Sequence, residues 1–207
     1  MFRSSRFGVM QGRLLAKYRG RYQAHPLGYW QREFDVAAGM ELDLIEFILD
    51  FEDGEKNPLM NESGIAEIRA VATRSGVSVE TICADYFMEC PLHGDDPDRV
   101  EQCRATLRRL IPHASELGVS DIVIPCVDQS SLRGEASQAR LLRELEWATA
   151  LAADAKINLA LETDLAPEPF RKLLDTVGSP RVTVNYDIGN SASLGFDPAE
   201  EFDAYGE

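Results

Sequence analysis

The chain has 207 residues, 44% of them hydrophobic and 27% charged, with 35 acidic against 21 basic residues and a formal net charge of -14. That apolar mass suffices for one sizeable core, so one domain spanning residues 1–207 is expected, and the negative field argues against a nucleic-acid partner. No run approaches the roughly 18 apolar residues of a membrane span, which argues against a membrane partner.

The opening MFRSSRFGVM lacks the apolar region of a secretory leader, and Cys83, Cys90, Cys103 and Cys126 show no CxxC spacing. Reduced, packed thiols in a cytoplasmic protein are therefore expected. Phe7 to Met10 is a first short strand, closed by Gln11-Gly12-Arg13. The loop after it carries Arg13, Lys17, Arg19 and Arg21, a basic cluster in an acidic chain that could steer an anionic ligand. Trp30 to Gly39 has the apolar spacing of a helix, and Leu42 to Ile48 is a second strand interrupted by Glu46. A charged loop leads to a helix over Glu62 to Ser75, closed by Gly76, and then to a third strand, Val77 to Cys83. Asp85 follows that strand, and the next loop carries His93.

Asp96-Pro97 is a capping acid before a proline at the first helical position, and the helix it starts runs to Leu117. Pro112 inside it should kink or split it. Asp121 to Val127 is a fourth strand ending beside Asp128, with Pro125 predicting a bulge. Glu135 to Ala153 is an amphipathic helix. The fifth strand, Ile157 to Asp164, is a short apolar run that ends abruptly in Glu162 and Asp164. A helix over Pro167 to Val177 leads to the sixth strand, Val182 to Tyr186, which ends at Asp187. A final helix starts at Asp197-Pro198.

Strand and helix alternate about six times, the pattern of a parallel sheet with helices outside it. No GxGxxG follows the first strand and no GxxxxGK[ST] or GxSxG occurs, which removes the support for dinucleotide, P-loop and serine-hydrolase readings. An acid or amide closes every strand: Gln11, Glu46, Asp85, Asp128, Glu162 and Asp187. An open doubly wound sheet would bunch such groups at one switch point, whereas a barrel spreads them around its active face. Two adjacent strand ends carrying Glu162 and Asp187 repel each other unless a cation lies between them. A divalent metal with hard oxygen ligands meets that need.

The segments GVMQGRL, LDLIEFILD, CADYFM, LALETD and NYDIGNS, in this order and spacing, resemble the xylose isomerase-like TIM-barrel superfamily. The likeness is to its sugar-phosphate isomerase/epimerase branch, which includes pentulose-5-phosphate 3-epimerases and hexulose-6-phosphate isomerases. It implies an α/β fold, a TIM-type (β/α)8 barrel, here truncated after about six βα units. An eight-unit barrel takes about 250 residues, so this chain is expected to be a fragment lacking the last two units.

The resemblance also implies a metal (Mn, Zn, Co or Mg) held by a Glu ending strand five, an Asp ending strand six, a His ending strand seven and a Glu ending strand eight. Glu162 and Asp187 match the first two. It implies that Glu162 moves the proton beside a ketose carbonyl through an enediolate, paired with the strand-eight Glu, so that the 207-residue chain alone turns over poorly. Asn190 stands where many members have a substrate-touching His; its amide can bind a hydroxyl but cannot carry a proton. Glu46, Asp85, Arg13 and His93 are the further candidates for substrate contact. The expected partner is a small sugar or sugar phosphate. The open sheet edges of an incomplete barrel would favour a homo-oligomer. Two rival readings are a non-catalytic carbohydrate-binding relic and an apurinic endonuclease-like repair enzyme. Three histidines and the acidic balance disfavour the second.

Overall fold

The computed structural model describes residues 6–206. Six strands, Gly8–Met10 (β1), Leu44–Ile48 (β2), Thr81–Cys83 (β3), Asp121–Cys126 (β4), Asn158–Thr163 (β5) and Val182–Val184 (β6), form one sheet in the order β1-β2-β3-β4-β5-β6. Every pairing is parallel, and each strand lies beside its neighbours in sequence. The order never reverses, so there is no switch point of the doubly wound kind; this is the wall of a barrel.

The helices are Gln31–Gly39 (α1), Glu62–Ser75 (α2), Tyr86–Glu89 (α3), Pro97–Leu117 (α4), Gly134–Ala155 (α5), Pro167–Val177 (α6), Ile188–Leu194 (α7) and Pro198–Tyr205 (α8). Local chemistry sets their ends. The Asn61 side chain accepts from the Gly64 amide at the start of α2, and Gly76 closes it in the left-handed conformation. Asp96 accepts from the Asp98 and Arg99 amides at the start of α4, with Pro97 in the first turn and Gly118 at the end.

Strand alternation divides the apolar residues between two faces. Phe47, Ile82, Ile122, Ile124, Leu159 and Leu161 face outward and pack with Phe34, Ile68, Leu107, Leu141 and Leu145 of the helices. Ile48, Cys83, Val123 and Ala160 form a separate inner cluster, with Met10 packed against it. Two residues beyond Ala160, on the same inner face and at the C-terminal rim, stands Glu162.

Two expectations need correction. Pro112 does not split α4, which runs unbroken because buried Leu107, Leu110, Ile111 and Ala114 hold it on both sides of the proline. Pro125 makes no bulge against β5, where the register is one-to-one from Asp121↔Asn158 to Cys126↔Thr163. Val123 bonds across to Ala84, so Pro125, two residues on, turns its missing N–H to the same side, where β3 has already ended. Residues after Asp187 form the helix α7, which Asp187 caps through the Gly189 and Asn190 amides. All four cysteines are free and buried. No described helix is long and apolar enough to cross a membrane.

Candidate active site

A cavity of about 600 Å³ opens over the inner face at the C-terminal ends of the strands. Five carboxylates line it, Glu46, Asp85, Asp128, Glu162 and Asp187, with the single cation Arg13. A larger cavity of about 810 Å³ runs along β6 beside α6 and α8, but it is lined by groups such as Leu174, Val182, Val184 and Phe202 and gathers no pair of strand-end acids.

Glu162 is the centre of the acidic cavity. Its Oε1 accepts from Asn190 Nδ2 at 2.6 Å and its Oε2 from Asn185 Nδ2 at 3.0 Å. Burial, and then the negative charge of Asp187, push its carboxyl up to about 7; the Asn185 bond opposes them, and Asp85 and Glu46 add to the rise. The carboxylates of β5 and β6 therefore share one rim and feel each other. Asp187 spends Oδ1 on the Gly189 and Asn190 amides, at 2.7 and 2.9 Å, which seats Asn190 over Glu162.

The opposite wall is built from β1 to β3. Glu46 is held above its ordinary range by burial, against a bond from Thr81 and with a further push from Asp85. Asp85 accepts from the Cys83 thiol at 3.1 Å and from Gln23 Nε2 at 3.2 Å, and Gln23 Oε1 accepts from Arg13 Nη2 at 2.8 Å. Burial, with Asp85 and Glu46 nearby, drives the Cys83 thiol well up, so it stays protonated and donates.

The loop that carries Arg13 is clamped from below. Glu33 of α1, wholly buried, accepts from the Gly12 amide at 2.7 Å and the Leu14 amide at 3.0 Å. Gly12 has φ +88°, and a Cβ there would meet the Tyr22 carbonyl at 2.2 Å, so only glycine fits. Gln11 is also fully buried; its Oε1 accepts from the Ile48 amide and lies 3.1 Å from His25 Nδ1.

The model of the xylose isomerase-like TIM barrel family matches residues 34–207. The chain belongs to that family. It is 33% identical over 165 residues to the 2-epi-5-epi-valiolone 7-phosphate 2-epimerase of Actinoplanes sp., covering 79% of this chain and 59% of that protein. The chain thus spans about three fifths of the length of that curated relative. Among solved structures it is similar to a D-allulose 3-epimerase from Methylomonas sp. in complex with D-allulose, with a TM-score of 0.73 at 16% identity, covering 97% of this chain and 69% of the other. It is similar also to a xylose isomerase-like TIM barrel protein from Mycobacterium smegmatis in complex with magnesium, with a TM-score of 0.69 at 18% identity, covering 96% and 70%. At these identities the two structures speak for the fold.

In this xylose isomerase-like barrel the cavity brings together Glu162, Asp187, Asn190, Glu46, Asp85 and Arg13. It does not include His93, which is buried in the loop before α4 and whose carbonyl accepts from Arg140 Nε at 2.7 Å. Arg19 and Arg21 are also spent elsewhere: Arg19 pairs with Glu52 and Asp53, and Arg21 with Asp50 at 3.1 Å. Sequence reasoning missed Asn185, although it stands two residues before Asp187 and so shares its side of the chain. It missed Gln23 and Glu33 as well, whose partners lie far along the chain.

Among the described residues no cluster of three or more His, Cys, Asp or Glu groups could hold a metal ion. Glu162 and Asp187 still fit a hard cation in kind: both are carboxylates at one rim, Glu162 half-buried and Asp187 exposed, and the repulsion Glu162 feels from Asp187 is one that a cation would relieve. They supply two of the six or so oxygens such an ion takes.

Proposed function

We propose that the protein is a sugar or sugar-phosphate epimerase/isomerase that moves a proton on the carbon beside a ketose carbonyl, with Glu162 as the base. A half-buried carboxylate at the strand rim, lining the acidic cavity with both oxygens held by the Asn185 and Asn190 amides, is the observation that carries the reading. A base is most useful when its pKa lies near the working pH, and burial and the charge of Asp187 raise that of Glu162 toward it. The Asn185 and Asn190 amides fix both Glu162 oxygens, so the carboxylate is aimed before substrate arrives. Asn190 can also turn toward a hydroxyl, while Glu46 and Asp85 on the opposite wall offer acceptors for further hydroxyls.

A divalent metal held by Glu162 and Asp187 would polarise the carbonyl as a Lewis acid and stabilise an enediolate. The magnesium in the Mycobacterium smegmatis structure and the 2-epi-5-epi-valiolone 7-phosphate 2-epimerase of Actinoplanes sp. support the same reading.

The test is hydrogen exchange. The protein is incubated in D2O and manganese with D-ribulose 5-phosphate, D-ribulose or D-allulose, and deuterium is followed by NMR at the carbons flanking the carbonyl. Incorporation beside the carbonyl of at least one ketose is expected. Binding of these ketoses with no incorporation would overturn the reading in favour of a non-catalytic carbohydrate-binding protein.

A further inference from the structure

The loop after β1 carries several cations, and their surroundings separate one from the rest. Arg19 and Arg21 are neutralised by Glu52, Asp53 and Asp50. Lys17 lies over the Tyr22 ring, 4.6 Å from its centre, and does not line the cavity. Arg13 does line it, and its hydrogen-bond partner is a neutral amide oxygen, Gln23 Oε1, at 2.8 Å from Nη2.

That amide is oriented rather than free. Gln23 donates its Nε2 to Asp85 Oδ2 at 3.2 Å, which turns its carbonyl oxygen toward Arg13, and the Cys83 thiol donates to Asp85 Oδ1 at 3.1 Å. The chain Cys83–Asp85–Gln23–Arg13 holds the guanidinium on the β1 side of the cavity, with Glu162 and Asp187 on the β5 and β6 side. A guanidinium paired with an amide keeps its full charge and its remaining N–H donors for something else. In a cavity with five carboxylates, no anion would settle unless it met this group.

We propose that Arg13 binds a phosphate monoester on the substrate and so sets a preference for phosphorylated over neutral ketoses, with Gln23 as its positioning residue. The inference rests on the reading of this cavity as a ketose site. Bidentate contact from a guanidinium suits phosphate, and a charge-assisted contact of this kind is worth about 10- to 100-fold in affinity.

Binding of D-ribulose 5-phosphate and of D-ribulose is measured by calorimetry on the wild type and three variants. The wild type should prefer the phosphate ester by at least about 10-fold. Arg13→Gln should weaken the ester by about 10- to 100-fold and leave D-ribulose unchanged. Arg13→Lys should recover part of the loss, as a point charge without the fork. Lys17→Gln removes the same charge from the same loop outside the cavity and should leave the preference intact. Equal weakening of both ligands by Arg13→Gln, no preference in the wild type, or an equal effect of Lys17→Gln would overturn the proposal while the ketose reading stands. Failure of the wild type to bind either ligand would remove the ketose site itself, and this proposal with it.

Discussion

Replacing Glu162 by glutamine will lower the rate of proton exchange on a ketose substrate by roughly 10²- to 10⁴-fold, the usual contribution of a positioned acid–base group. The fold should survive the change. Glutamine keeps the size of the side chain and an oxygen that can accept from either Asn185 or Asn190, which both donate to Glu162. It also removes one of two carboxylates that repel each other at the rim. The melting temperature of Glu162→Gln should therefore be no lower than that of the wild type, while turnover collapses. A loss of activity that tracks a loss of folded protein would mean that Glu162 is structural, and an unchanged exchange rate would remove it from the chemistry altogether.

Glu33→Ala is expected to cost about 3 kcal/mol of stability, because it strands two backbone donors inside the protein. Glu33 is fully buried, and its two oxygens are the partners of the Gly12 and Leu14 amides. Alanine leaves those N–H groups without an acceptor and opens a void beneath the loop. Glu33→Gln, with one carbonyl oxygen, should lose less than Glu33→Ala. Urea denaturation followed by circular dichroism gives both values from the midpoint and slope. A cost for Glu33→Ala below about 0.5 kcal/mol, the level of an ordinary surface change, would show that water replaces the carboxylate and that the loop is not clamped.

Sequence periodicity marked the helices well where capping chemistry is local. Asn61 with Gly76, and Asp96-Pro97 with Gly118, bracket α2 and α4 because each cap bonds within four residues of itself. The acids closing the strands were equally visible, and alternation explains why Glu162 follows Ala160 onto the inner face. Long-range contacts were not visible. Glu33 reaches back 21 residues to Gly12, and Gln23 reaches 62 residues to Asp85. No spacing rule announces such partners. The basic loop misled for the same reason: the charges of Arg19 and Arg21 read as available until the fold set Asp50, Glu52 and Asp53 beside them. Pro125 misled in the opposite direction, since β3 ends before the position its missing donor would have reached, and α4 continues through Pro112 without splitting.

The account turns on a shared cation at the β5–β6 rim. Crystals soaked in manganese and measured at a wavelength that shows its anomalous scattering test this directly. The account predicts a manganese peak between the carboxylates of Glu162 and Asp187, absent from Glu162→Gln crystals treated alike. A peak elsewhere in the molecule with none between these two side chains, or one that persists in Glu162→Gln, would contradict it.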